Sequence, residues 1–176
     1  MSPRLAAALC LFFYCGHAAW YAAHGQTLEN MLWACHLGAL LVGAGLLFTA
    51  PTLNAVGVLW LLLGVPLWLL DLLAGGELVP TSILTHFGGL ALGLWGVRRL
   101  GFPPMAARPA AVGLYILNRL SWLLTAPAEN VNLAFTVWPG WEHYFPSHRL
   151  YLATLLLLSA VVFGLLTPLL RRLGPR

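Results

Sequence analysis

Apolar residues run along this chain in six long blocks, at approximately Arg4–Ala23, Leu28–Ala50, Leu53–Ala74, Pro80–Val97, Ala107–Ala126 and Arg149–Leu170. Each is close to the ~20 residues that a helix needs to cross a bilayer. The pattern predicts an all-α polytopic membrane protein, with residues 1–176 forming a single domain of six transmembrane helices in one bundle. Pro66 falls inside the third block, where a bundle can accommodate a kink. The connections are short except Pro127–His148, and there is neither an internal repeat nor a low-complexity linker. The first block also has the outline of a signal peptide, Arg4 followed by an apolar run and small residues, but bulky Trp20 and Tyr21 suit an interfacial belt better.

Composition agrees with the pattern. The chain is 60% hydrophobic and 8% charged, against about 25% charged in a soluble domain. All nine basic residues are arginine. With six crossings, Arg4, Arg98, Arg99, Arg108, Arg171, Arg172 and Arg176 fall on one side. Glu29, Glu77, Glu129 and Glu142 fall on the other, with Arg149 as the lone base. The positive-inside rule then places both termini in the cytoplasm. Short loops and the all-arginine basic set point to a multi-pass protein of a bacterial inner membrane. The net charge of +4 is used up by topology, and no basic stripe interleaved with aromatics offers a nucleic-acid surface. Cys10, Cys15 and Cys35 have neither CxxC nor metal-type spacing, so no disulfide framework, zinc site or other cofactor is implied.

Candidate chemistry centres on the fourth block. Helical spacing puts Ser82, His86, Gly89 and Gly93 on one face, a stripe of small residues broken by one imidazole. A titratable ring at membrane depth is costly without partners, and Ser82 and Thr85 are the nearest. A plain helix–helix contact, His86 bonding across a glycine interface, is the simpler reading of the stretch. Depth tips the balance. At 1.5 Å per residue, His36 and His86 lie about 10 Å below the external surface, and Asp71, Asn118, Arg119 and His17 fall in the same outer layer. The inner halves hold almost nothing polar. Side chains from five helices at one depth predict a polar cavity open to the external face.

Each member has an alternative. Asp71 and Arg119 can form an intramembrane ion pair. Cys35 can be a small packing residue, and as the neighbour of His36 it points about 100° away, so the two cannot face a cavity equally. His36 and His86 can ligate a metal or haem. His143 and His148 flank the long loop and read as solvated. In that loop, Trp138-Pro-Gly-Trp141-Glu-His-Tyr-Phe-Pro146 reads either as a segment over the mouth of the bundle or as an ordinary aromatic belt.

The order of features resembles a known family. Trp33-Ala-Cys35-His36-Leu-Gly opens the second block, Thr85-His86-Phe-Gly lies in the fourth, and Asn130-Val-Asn132-Leu-Ala-Phe135 and Trp138-Pro-Gly-Trp141 precede a last helix that opens with Tyr151. This is similar to the YwaF-type integral membrane family and its relative, transmembrane protein one-six-four. More distantly it resembles the androgen-induced-gene-type intramembrane lipid hydrolases. The likeness covers roughly 29–170. Here the cysteine precedes the histidine, and the tyrosine of the turn is displaced. The resemblance implies ester transfer or hydrolysis on lipids, with Cys35 at the nucleophile position and His86 at that of the general base. Asn118 or Arg119 would then face the developing oxyanion, a term worth about 3 kcal/mol per donor.

Three functions follow as expectations. The first is a membrane-embedded lipid acyltransferase or ester hydrolase without a cofactor, its site drawn from Cys35, His36, His86, Ser82, Thr85, Asp71, Asn118 and Arg119, with membrane lipid as its partner. The second is a non-enzymatic lipid- or quinone-binding or assembly protein, which the Gly89-x-x-x-Gly93 motif and the basic cytoplasmic rim also fit. The third is a metal or haem carrier with His36 and His86 as ligands. A transporter fits less well, because no inverted repeat or pair of broken helices is evident. Oligomeric state is not legible.

Overall fold

A computed structural model describes residues 1–175 of the chain; Arg176, grouped above with the cytoplasmic arginines, lies outside the described residues. Six α-helices carry the fold: α1 (Pro3–Ala23), α2 (Ala34–Leu47), α3 (Pro51–Leu73), α4 (Gly89–Leu100), α5 (Ala107–Leu124) and α6 (His148–Arg171), with no strand among the described residues. A π-helical turn, Leu84–Gly88, leads directly into α4, and 3-10 turns lie at Leu28–Leu32, Pro127–Glu129 and Val131–Leu133. The helices α1, α3 and α6 are long and apolar enough to cross a membrane. Large apolar side chains such as Phe12, Leu73, Leu123, Leu157 and Leu165 are exposed on the outside of the bundle. Such a belt needs an apolar surround, which marks this as a membrane protein.

Small residues set the packing. An alanine Cβ at Gly57 would lie 2.5 Å from the Gly38 carbonyl oxygen and 2.9 Å from the Val42 nitrogen, so the α2 and α3 backbones touch where neither carries a side chain. Van der Waals contact of this kind is the main force joining helices in lipid. The glycine stripe of α4 behaves likewise: a Cβ at Gly89 would meet Ala39, and one at Gly93 would meet Val58 and Val42. Around these contacts Leu46, Val58, Leu59, Val97 and Phe163 are fully buried, making a dry half of the bundle. That half holds a buried amide that the sequence reading overlooked. Asn54 is fully buried, and its amide donates to the Gly93 carbonyl at 3.1 Å.

The helix boundaries differ from the apolar blocks in two places, each with a local cause. The second block does not form one helix over Leu28–Ala50: Leu28–Leu32 is a 3-10 turn, Trp33 is extended, and α2 has 14 residues. The Asn132 side chain wedges into this break, accepting from the Ala34 N–H at 2.8 Å and donating to the Leu32 carbonyl at 2.8 Å. A capping group from 98 residues away thus ends one element and starts the next. In the fourth block the chain widens into the π turn before α4, with the Gly89 N–H reaching the Leu84 carbonyl five residues back. Gly101, at φ +82°, stops α4. Pro66, by contrast, leaves α3 continuous from Pro51 to Leu73.

The glycine contacts predict a measurable asymmetry. Gly57→Ala is expected to lower the stability of the detergent-solubilised protein by about 1–3 kcal/mol through overpacking. Gly164, with nothing within 4 Å of its Cβ position, should accept alanine with no loss. Thermal unfolding of the two variants side by side checks this.

Candidate functional site

Three imidazoles from three elements meet at one end of the bundle: His17 of α1, His36 of α2 and His86 of the π turn. All are buried, His17 at 0%, His36 at 5% and His86 at 1% exposure, so their hydrogen bonds decide what they can do. His36 Nδ1 lies 2.9 Å from the Asn30 carbonyl and His86 Nδ1 lies 2.8 Å from the Ser82 carbonyl. A carbonyl only accepts, so both rings carry their proton on Nδ1. The bare Nε2 of a neutral His36 then accepts from His17 Nε2–H at 3.2 Å. His17 Nδ1 in turn accepts from the Thr81 hydroxyl at 2.7 Å. The chain is closed at both ends by this bookkeeping of protons, and His86 stands outside it. Its Nε2 is buried and has no hydrogen-bond partner among the described residues. Trp68 stacks on the His86 ring at 4.4 Å between centroids and 12° between planes, fixing its orientation.

Cys35 belongs to the same cluster. The ligating atoms of Cys35, His36 and His86 all lie within 4.8 Å of one another. Cys35 is the second residue of α2, and its sulfur lies over the N–H groups of Cys35 and His36. First-turn N–H groups have no partner within their own helix, so the sulfur lies where such donors are available. A Cβ at Gly64 would be 2.8 Å from the Cys35 Cβ, so α3 is pressed against the thiol from the other side.

The start of α2 is held by a polar lattice. Asn132 also donates to Ser121 Oγ at 2.8 Å, and Asn118 Nδ2 donates to the Asn132 carbonyl at 2.9 Å. Glu129 accepts from Asn30 Nδ2 at 2.8 Å, and Glu29 accepts from the Ala126 N–H at 2.6 Å. Asn130, Asn132 and Leu133 all sit at positive φ, between 43° and 56°, which is the backbone strain that lets this loop turn its side chains inward. The connection before α6 is thereby clamped onto the turn before α2.

A cavity of about 930 Å³ opens next to these groups. Cys35, His36, Ser82, His86, Asn118 and Asn132 line its polar end together with Glu129, and Leu63, Leu67, Leu155 and Leu158 line an apolar flank between α3 and α6. Trp138, Trp141 and Phe145 of the long loop form its rim, with Trp141 and Phe145 stacked in parallel. The volume is at the upper end of the usual range for small-molecule sites, about 300–1,000 Å³. The shape is amphipathic, as a lipid is.

The expected set is thus partly gathered and partly reassigned. Cys35, His36, Ser82, His86, Asp71 and Asn118 all line the cavity. Cys35 and His36 share it despite their 100° separation, because His36 leans toward α1 and the cavity reaches around the first turn of α2. Thr85 and Ser82 spend their hydroxyls on the Ser82 and Val79 carbonyls, which shapes the π turn and leaves no hydroxyl poised for attack. The Asp71–Arg119 pair is not formed: the Arg119 guanidinium donates to Asn118 Oδ1, and Arg119 does not line the cavity. Asn118 is engaged in turn with Asn132. The metal expectation for His36 and His86 gains Cys35 as a neighbour, although its spacing in the sequence gave no sign of it. His148 is half-buried, not solvated, and donates to the Leu133 carbonyl at 3.0 Å. His17, Thr81, Trp68 and Asn132 were absent from the candidate set. Depth pointed to His17, and the Asn130-Val-Asn132 run pointed to Asn132; Trp68 and Thr81 carried no signal.

Compared with family models, curated proteins and solved structures, the chain matches none.

Removing the Asn132 side chain leaves the Ala34 N–H and the Leu32 carbonyl without their partner. Asn132→Ala is expected to cost about 1–3 kcal/mol. The loss should appear as faster amide hydrogen exchange at the start of α2, with the α2–α3 contact near Gly57 unaffected.

Proposed function

We propose that the protein is a membrane-embedded acyltransferase or ester hydrolase acting on lipids, with Cys35 as nucleophile and His86 as general base. One observation carries this reading: a buried imidazole nitrogen with no partner among the described residues, in a cluster whose donor atoms lie within 4.8 Å of one another and include a thiol, beside an amphipathic cavity. A buried polar atom without a partner is costly, and its usual justification is a task. The YwaF-type pattern that the sequence resembles supports the same pairing.

The chemistry follows from the hydrogen bonds. His86 Nε2 takes the Cys35 thiol proton, while Nδ1–H stays on the Ser82 carbonyl and holds the ring as it becomes cationic. The thiolate attacks the ester carbonyl carbon. Negative charge on the carbonyl oxygen is met by the Cys35 and His36 N–H groups, released by the sulfur as it attacks, because Asn118 and Arg119 are engaged elsewhere. The carbon–oxygen bond breaks, His86 returns the proton to the departing alcohol, and a thioester remains on Cys35. An incoming alcohol or water repeats the steps in reverse order, giving transfer or hydrolysis.

Placement in the bilayer belongs to the same reading. Six crossings with both termini cytoplasmic put the cavity in the outer leaflet. The ester then sits near headgroup depth, and its acyl chain runs along Leu63, Leu67 and Leu155. Protease protection in sealed vesicles tests it, with both ends expected to be cleaved only from the cytoplasmic side.

An alkyne-tagged activated fatty-acyl ester tests the chemistry. Wild-type protein should label at Cys35, Cys35→Ala should not, and His86→Ala should label about 100-fold more slowly, the lower end of what a positioned base contributes. Undiminished labelling in His86→Ala contradicts the assignment. Lipid that copurifies without any labelling would instead favour a binding protein.

A further inference from the structure

The histidine cluster has a property that proton transfer does not require. Each ring rests its Nδ1 on an oxygen, that of the Thr81 hydroxyl, the Asn30 carbonyl or the Ser82 carbonyl. The ε nitrogens of His17 and His36 meet 3.2 Å apart, and that of His86 is bare. Metal-binding histidines are oriented this way, with the distal N–H on a carbonyl or hydroxyl and the other nitrogen free to coordinate. Two nitrogens on one tetrahedral ion, at bonds of 2.0–2.1 Å, are about 3.3 Å apart, close to the spacing of His17 and His36.

We propose that Cys35, His36 and His86, with His17 as fourth donor, bind one divalent first-row metal ion, Zn²⁺ being the ion whose tetrahedral geometry and preference for nitrogen and sulfur they match. The mutual limit of 4.8 Å among Cys35, His36 and His86 requires a contraction of at most about 1.5 Å to reach the ligand spacing of a tetrahedral ion. All four donors come from helical segments packed against one another, α1, α2 and the π turn, and Asp71, Glu77 and Glu129 on the cavity wall favour entry of a cation. Binding balances simply. The Cys35 thiol loses one proton to solvent, and the His17 proton moves from Nε2 to Nδ1, where the Thr81 oxygen accepts it. A metal-bound Cys35 cannot attack an ester, so an occupied site is a silenced one. The binding itself does not rest on the acyl-transfer reading.

Cobalt(II) is the direct probe. Titrated into the detergent-solubilised full chain, it should bind at one equivalent, with the intense visible bands of tetrahedral cobalt and a sulfur-to-cobalt charge-transfer band that Cys35→Ser removes. His86→Ala should weaken binding at least tenfold. A weak octahedral spectrum, or tetrahedral bands that persist unchanged in His86→Ala, overturns the site. A second readout needs no variant. Zn²⁺ should slow maleimide labelling of Cys35 at least tenfold while leaving exposed Cys15 unaffected. Equal labelling of Cys35 with and without Zn²⁺ also overturns it. Metal binding without ester turnover would retain this site and remove the enzyme; acyl labelling without metal binding would do the opposite.

Discussion

A carbonyl oxygen holding one side of a buried imidazole is the constraint on which this structure turns. The Ser82 carbonyl accepts a hydrogen bond from His86 Nδ1–H and so commits the other ring nitrogen to be bare. The backbone register is disturbed just after this acceptor. The π turn over Leu84–Gly88 is that disturbance, and it lies directly ahead of the tightly packed glycine stripe of α4. Packing in one half of the molecule therefore anchors the irregular backbone of the other.

The two halves follow different physics. In the dry half, contacts such as Gly38–Gly57 and Gly93–Val58 let backbones approach until dispersion holds them, and one buried amide, that of Asn54, bridges α3 to α4. In the other half, polar groups outnumber the partners that helices alone could give them. Asn132 answers this with hydrogen bonds to Ala34, Leu32 and Ser121, and His17 with bonds to Thr81 and His36. Buried polar lattices of this kind are stable only when nearly every member is satisfied. The single exception at the cavity is His86 Nε2.

The sequence revealed the apolar helices and the gathering of polar residues from several of them, because both depend on spacing along a helix. His36, His86 and Asn118, whose positions were counted from block ends, line one cavity. Spacing failed where long-range contacts decide. No local signal shows that Asn132 will interrupt the second block at Trp33, or that Arg119 will turn to its neighbour Asn118 instead of Asp71. Depth alone also could not choose among Ser82, Thr85 and Cys35. Only their hydrogen bonds separate them, since both hydroxyls are tied to carbonyls and the thiol is not.

The catalytic proposal and the metal proposal both draw on one arrangement of protons: Nδ1–H on His36 and His86, and a bare Nε2 on His86. Nitrogen-15 NMR of the histidine-labelled protein reads that arrangement directly, because protonated and bare ring nitrogens resonate far apart. The account predicts that the His86 signals, assigned by their loss in His86→Ala, show a protonated Nδ1 and an unprotonated Nε2 in the resting protein. A His86 ring protonated on Nε2, or on both nitrogens, would contradict it.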